Sequence, residues 1–339
     1  MKTNLQFLIT QTGMAEQWNH KVFRVKQENF ESLALEAFRF QSENNPVYRD
    51  YLRALGLNHA SIQTIENIPY LPVRFFKSHS IKTTLFEPAA IFESSGTTVS
   101  INSKHQVKDL SLYEKSFIRG FELFYGPVSE WCVIGLLPSY LERKNSSLVY
   151  MVEKLIQLSG HSQSGFYLHE FDRLYATLAE LEKKQQKTLL IGVTFALLDF
   201  AEKYSLPLQH TVIMETGGMK GRREEMIRPQ VHELLKTAFQ LPAIHAEYGM
   251  TELLSQAYSK GDGIFSSPPW MKILVRDEED PFVVKSRGSG TINVIDLANI
   301  YSCSFIATDD VGKVHTDGSF EVLGRVDGSD LRGCSLMVV

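Results

Sequence analysis

The sequence predicts an α/β fold: a mostly parallel sheet covered by helices, followed by a small C-terminal β-rich subdomain. Three observations predict it. Between Trp131 and Gly249, short apolar runs alternate with segments of helical pattern, as strand–helix–strand crossover units do. From Met271 onward the helical pattern stops, and short strand-like runs follow one another across turn residues. Before residue 90 the chain reads as helical and irregular instead. The expected division is residues 1–265, a helical N-terminal region with the α/β domain, and 266–339, the β-rich part, with a cleft between them.

Each element has its own warrant. Phe30, Leu33, Leu35, Ala37, Phe38 and Phe40 recur at roughly helical spacing, and the extended, proline-punctuated IPYLPVRFFKSHSI follows. WCVIGLL is a short apolar strand, and SSLVYMVEKLIQL a helix opening on Ser146 and Ser147. FDRLYATLAELEKKQQK is an amphipathic helix, and TLLIGVTF a buried strand. TVIMET is another strand, stopped by Gly217 and Gly218; the charged helix GRREEMIRPQVHELLKTAF and then AIHAEYG come next. In the C-terminal part MKILVRD, GTINVIDL, SCSFIATDD, GKVHTDG and SFEVLGR read as five separate short strands.

Composition removes several classes. Of 339 residues, 43% are hydrophobic and 22% charged, which excludes a largely disordered chain. The net charge of -4 offers no basic field, so no nucleic acid is expected as a partner. No segment approaches the roughly 20 apolar residues of a membrane span, and the N-terminus has no signal-peptide pattern. Three cysteines, Cys132, Cys303 and Cys334, form no close pair, so a disulfide scaffold is not expected and a cytoplasmic location is. Ten histidines show no HExxH spacing, and no Ser nucleophile elbow occurs.

Four motifs carry chemistry. In FESSGTT, Ser94, Ser95, Thr97 and Thr98 surround Gly96; hydroxyls and a permissive backbone can cradle phosphate, or form a polar surface turn. In ETGGMKGRR a strand ends on two glycines before Lys220, Arg222 and Arg223, which is either a ligand-facing strand end or a tight turn with solvated charges. In HAEYGMTE an aromatic ring, a hydroxyl and a carboxylate crowd a strand end: Tyr248 can stack on a base, Thr251 bond a phosphate and Glu252 hold Mg²⁺, or the segment is a plain strand–turn–helix. In IATDDVG and VLGRVDG, Asp310 offers acceptors for ribose hydroxyls and Arg325 a fork of donors, although each stretch alone also suits a hairpin turn.

In this order the four motifs resemble the acyl-adenylate-forming superfamily, whose members activate carboxylic acids with ATP, over roughly residues 70–339. PVRFFKSH, FESSGTT, ETGGMKGR and the close at GRVDGSDLRGCSL look like the acyl-protein synthetase (LuxE) family within it. The resemblance implies the N-terminal domain type of that superfamily, with ATP and Mg²⁺ as cofactors. It implies a fatty acyl-AMP formed from a carboxylic acid, then an acyl thioester on a cysteine of the chain, delivered to a protein partner such as a reductase. It assigns Ser94, Ser95, Gly96, Thr97 and Thr98 to the phosphates, and Gly217, Gly218, Tyr248, Gly249, Met250 and Thr251 to the nucleotide. Asp310 and Arg325 then hold the ribose, and Glu252 the metal.

Most relatives in that superfamily continue past the hinge into a lid that carries a lysine, whereas this sequence runs from the hinge only to Val339, so a large C-terminal lid domain is expected to be absent. Another cation is then needed at the phosphate, with Lys220 and Arg222 nearest and Lys77 behind them. The same departure singles out Cys334 in LRGCSL, a thiol that Arg332 can activate, as the acyl acceptor, against the alternative of a small buried residue. Cys132 and Cys303 read as structural, and His245, which could line the acyl site, reads rather as a satisfied strand histidine. Met219, Met250 and Leu253 suit an acyl tunnel or ordinary core alike. Two other functions compete: delivery of the acyl group to coenzyme A or a carrier protein, and a nucleotide-binding scaffold subunit with little catalysis.

Overall fold

The computed structural model describes residues 18–95, 101–138, 144–217 and 226–326. Helix α1 (Gln27–Asn44) buries Phe30, Leu33, Ala34, Ala37, Phe38 and Gln41, an i, i+3, i+4, i+7 stripe. It hands over to α2 (Pro46–Ala54) at Asn45, whose side chain accepts from Tyr48 N and caps a helix that opens on proline. Strand β1 (Leu71–Pro72) and the single turn α3 (Phe75–Ser78) follow, then β2 (Ala90–Glu93) and β3 (Lys104–Val107).

The crossover region supplies α4 (Leu110–Tyr125), β4 (Cys132–Leu136), α5 (Ser147–Ser159), β5 (Gly165–Phe166), α6 (Phe171–Lys183), β6 (Thr188–Val193), α7 (Thr194–Lys203), β7 (Thr211–Thr216), α8 (Arg228–Phe239) and β8 (His245–Tyr248). Asp109 caps α4 and Ser146 caps α5, each accepting from a first-turn N–H. The C-terminal strands are β9 (Ala257–Ser259), β10 (Ile264–Ser266), β11 (Met271–Arg276), β12 (Val284–Lys285), β13 (Gly288–Asp296), β14 (Phe305–Val314) and β15 (Phe320–Arg325).

Thirteen of these strands share one sheet in the order β12-β11-β13-β14-β15-β10-β9-β8-β7-β6-β4-β5, with β1 beside β14. Strands β5, β4, β6, β7 and β8 run parallel, and every residue of β4 and β6 is buried, the pattern of strands covered on both faces. From β9 onward the pairings along this order turn antiparallel, with β1 alone running parallel to β14, so β8–β9 is the seam between two kinds of ladder. Strands β2 and β3 form a separate two-stranded sheet.

Three element boundaries depart from the sequence reading. SCSFIATDD and GKVHTDG are not two strands: Phe305 to Val314 form one ten-residue strand, because β13 and β15 pair along it and a register shift beside Gly312 absorbs the irregularity. The pair Asp309–Asp310 therefore lies mid-strand and not in a turn. TLLIGVTF ends as a strand at Val193, and Thr194 already opens α7. The charged helix starts at Arg228, beyond Met226 and Ile227. Among the described residues no helix is long and apolar enough to cross a membrane.

The N-terminal helices dock onto the turn between β13 and β14. Trp18 Nε1 donates to Leu297 O at 3.0 Å, Gln41 Nε2 to Ile300 O at 2.8 Å, and Asn45 Nδ2 to Ser302 O at 2.9 Å. Ser304 N donates back to Gln41 Oε1 at 2.9 Å. Gln41 and Asn45 are completely buried, so these bonds satisfy amides that would otherwise cost a desolvation penalty each.

Candidate active site

Strands β7 and β8 end side by side at their carboxyl ends, where open α/β sheets bind ligands. Gly217, directly after β7, has φ +71°, a left-handed turn that glycine adopts without strain. At the end of β8, Tyr248 donates its hydroxyl proton to Asp310 Oδ2 at 2.9 Å. Asp310 on β14 stands opposite Arg325 on β15 in the ladder, and Arg325 Nε donates to Asp310 Oδ1 at 2.9 Å. One carboxylate thus joins three strands, with the Arg325 and Asp310 side chains only 14% and 12% exposed. Burial, with the Asp310 charge adding to it, raises the Tyr248 phenol well above its usual range, so the hydroxyl stays a donor. Its ring lies edge-on to Phe265 and Phe320.

The turn after Tyr248 is clasped from below. A Cβ on Gly249 would lie 2.3 Å from Glu247 Oε1, so a larger residue there would have to displace that carboxylate. Asp296, the last residue of β13, accepts from Leu254 N (2.7 Å), Ser255 N (3.0 Å), Ser255 Oγ (2.6 Å) and Ala298 N (3.1 Å). Burial outweighs these four bonds and pushes the Asp296 carboxyl up to about 6, which still leaves it ionised at neutral pH. Asn299 Nδ2 donates to Glu252 O at 2.7 Å. His105 Nδ1 faces Thr251 O at 2.8 Å, a carbonyl that can only accept, so Nδ1 carries the proton. His105 Nε2 lies 3.0 Å from Asn299 Oδ1, and both contacts are fully satisfied only by a doubly protonated ring. Burial opposes that charge and lowers the His105 pKa to about 4, so the neutral ring keeps its Thr251 bond and the Asn299 contact is the weaker one. Glu252 itself is completely buried.

Two further acids, Glu215 on β7 and Glu247 on β8, lie at the same carboxyl end of the strands. Glu215 accepts from Thr194 Oγ1 and from Arg228 Nε, each at 2.8 Å. Burial alone would raise its pKa, but the Arg228 guanidinium and His232 overrule it and hold the carboxyl at about 2. Glu247, bonded by Thr216 Oγ1, has no such cation; burial first, and then the Glu215 charge, push it up to about 7. The folded state therefore holds the Glu247 proton more tightly than the unfolded chain does. Its stabilising contribution is fully present below pH 4.5, the ordinary value, and is lost as pH rises through about 7. Glu247→Gln is expected to remove that dependence and to gain up to about 3 kcal/mol on the wild type between pH 5 and 8. Urea midpoints of the two proteins at both pH values measure it; parallel pH dependences would contradict the assignment.

Of the positions singled out from sequence, the structure joins Tyr248, Asp310 and Arg325 directly, and sets Gly249, Met250, Thr251 and Glu252 in the adjoining turn. Ser94 and Ser95 follow β2; Ser94 is buried and its Oγ accepts from Ser103 N at 2.9 Å. Lys77 lies on α3. Gly96, Thr97, Thr98, Gly218, Met219, Lys220, Arg222, Arg223, Arg332 and Cys334 lie outside the described residues. Cys132 and Cys303 are fully buried, and burial raises their thiols to about 11 and 12, which makes them poor nucleophiles, in line with structural roles. His245 Nδ1 contacts Tyr125 Oη at 3.1 Å, as a satisfied strand histidine does. Sequence reasoning missed His105, Glu215, Thr216, Arg228, Glu247, Asp296 and Asn299. A signal existed for three of them: Glu215, Glu247 and Asp296 are acids near the ends of strand-like runs, where a buried carboxylate needs a partner. Among the described residues no group of three or more His, Cys, Asp or Glu could hold a metal ion.

This architecture is that of the acyl-adenylate-forming enzymes. The chain matches 2-hydroxyisobutyryl-CoA ligase, solved in an open conformation with 2-HIB-AMP and CoA, with TM-score 0.64 and 11% identity, over 89% of this chain and 70% of that one. It matches ATP-bound MatB from Rhodopseudomonas palustris with TM-score 0.54 and 17% identity, over 80% of this chain; it spans 51% of MatB, about half that protein's length. The chain belongs to the family described as "Acyl-protein synthetase, LuxE", which matches residues 20–339. Long-chain-fatty-acid–luciferin-component ligases are its relatives: that of Aliivibrio fischeri is 23% identical over 95% of this chain and 90% of its own, and that of Vibrio harveyi 24% identical over 96% and 90%. The chain is thus an acyl-protein synthetase, a ligase that activates a carboxylic acid.

Proposed function

We propose that this enzyme joins a long-chain fatty acid to AMP and then moves the acyl group to Cys334, for delivery to a protein partner such as a reductase. The observation that carries the reading is the Asp310 carboxylate, tied to Tyr248 and Arg325 beside the turn that bears Thr251 and Glu252. Asp310 accepts one bond at each oxygen and so keeps lone pairs for ribose hydroxyls. In the first step a carboxylate oxygen attacks the α-phosphorus of ATP in line, a P–O bond forms, and the bond to pyrophosphate breaks. In the second the Cys334 thiolate attacks the acyl carbonyl, a C–S bond forms, and AMP leaves with the C–O electron pair. Ser94, Ser95, Gly96, Thr97, Thr98 and Thr251 are the proposed phosphate contacts. Gly217, Gly218, Tyr248, Gly249 and Met250 are proposed to line the base, with Lys220 and Arg222 as the cations beside the phosphates.

The donor set suits Mg²⁺, which is ordinarily held by one or two carboxylates together with substrate phosphates and not by an all-protein cage. Glu252 is a hard-oxygen ligand next to Thr251 and would hold the ion. When bound, the ion would neutralise charge on the phosphates.

Labelled hexadecanoate with ATP should leave hydroxylamine-sensitive label on the protein. Cys334→Ser should lose at least about nine-tenths of that label while ATP–pyrophosphate exchange persists, since the nucleophile acts only in the second step. Label surviving the substitution would refute Cys334. A thioester formed only when coenzyme A or a carrier thiol is added would redirect the second step, and ATP binding without exchange for any acid would leave a scaffold.

A further inference from the structure

The hairpin β2–β3, whose strands flank the SSGTT motif, shares no ladder with the main sheet. Its position relative to the rest of the site must therefore come from side chains and loop contacts. Glu93 N donates to Asn145 O at 2.7 Å, and Gln106 Nε2 to Ser80 Oγ at 2.6 Å; both lead away from the turn after Tyr248. His105 leads into it. It pairs with Phe92 across the hairpin, is 1% exposed, and bonds Thr251 O, while its other nitrogen lies against Asn299, which in turn bonds Glu252 O. The ring of Phe76 on α3 packs edge-on against it, centroids 5.9 Å apart, which fixes the imidazole plane.

We propose that His105 is a positioning residue, setting the β2–β3 hairpin in register with the turn that carries Thr251 and Glu252, through the Nδ1–H bond to Thr251 O. It touches no reacting atom and acts by alignment alone. The inference deepens the adenylation reading above and rests on it for its kinetic consequence, because a displacement of about 1 Å between two halves of a site can cost on the order of 100-fold in rate.

Two substitutions separate alignment from bulk. Asparagine keeps a donor on the atom that replaces Nδ1, whereas glutamine carries its amide further out, where Nε2 stood. In ATP–pyrophosphate exchange driven by hexadecanoate, His105→Asn should retain kcat within about 3-fold of the wild type. His105→Gln and His105→Leu should lose about 30- to 100-fold in kcat. Amide hydrogen exchange reads the coupling without any activity: the Gln and Leu variants should lose protection both at Phe92 to Ser94 with Ser103 to Val107 and at Leu253 to Ser255, and the Asn variant at neither. Equal losses in Asn and Gln, or a folded Leu variant with wild-type exchange kinetics and protection, would overturn the proposal. Failure of the wild type itself to exchange pyrophosphate would sink the adenylation reading instead, and the protection pattern would still decide the coupling.

Discussion

Asp310→Ala is expected to lower folding stability by about 3–5 kcal/mol, because it removes the shared acceptor of a buried ion pair. Arg325, whose side chain is 14% exposed, loses its bond to that carboxylate, and the Tyr248 phenol loses its oxygen acceptor and keeps only the 3.8 Å contact to Met250 Sδ. Three strands lose their common tie together, since Tyr248, Asp310 and Arg325 come from β8, β14 and β15. Asp310→Asn preserves the shape and one acceptor oxygen, so its cost should be nearer 1–2 kcal/mol, about that of weakening two charge-assisted bonds. Denaturant unfolding of the three proteins measures both values. ATP affinity, read by calorimetry on the folded Asn variant, should fall by about 10- to 100-fold if Asp310 accepts from ribose hydroxyls. A stable alanine variant with unchanged midpoint would show that the network contributes nothing to folding.

Asp296→Ala should be as severe and should act on a different part of the site. Four donors converge on this carboxylate, three of them backbone N–H groups that cannot turn away. Each buried donor left unmet costs roughly 1–3 kcal/mol, so a loss of at least about 4 kcal/mol is expected. Asp296→Asn should be milder for a geometric reason. The amide nitrogen fits best in place of Oδ1, where the Ser255 hydroxyl can rotate and accept, leaving only Ala298 N opposed to a donor. The Asn variant should therefore lose about 1–3 kcal/mol, with exchange protection falling first at Leu254 and Ser255. Equal destabilisation by Ala and Asn would show that the charge, and not the acceptor geometry, holds the turn.

Much of the frame was legible because it is local. Strand runs such as TVIMET and the serine cap before α5 are short-range patterns in which backbone propensity, burial and capping agree. The triad of Tyr248, Asp310 and Arg325 was marked as chemistry, but its hydrogen bonds belong to the ladder between β14 and β15 and to a crossing from β8 that no spacing rule encodes. The turn's underlay was invisible for the same reason. His105 and Asn299 meet across 194 positions of chain, and Asp296 reaches Ser255 across 41, so neither leaves a periodic trace. Asp309 and Asp310 were weighed as hairpin residues because two adjacent aspartates before Val-Gly favour turns; pairing on both sides of β14 overrode that local preference. Arg228 was absorbed into a helix reading, whereas burial makes it the counterion of Glu215.

The opening helices bear on how the enzyme can be cut down. The family-like motifs begin near residue 70, which invites removal of everything before them. Yet Trp18, Gln41 and Asn45 grip Leu297, Ile300 and Ser302, and the same short bend holds Asn299 and follows Asp296. Those helices brace the bend from behind, as a buttress does a wall. A trimmed version would uncover the carbonyls of Leu297, Ile300 and Ser302 and loosen the bend that carries Asn299, so a shortened chain that keeps these bonds has to reach back to Trp18.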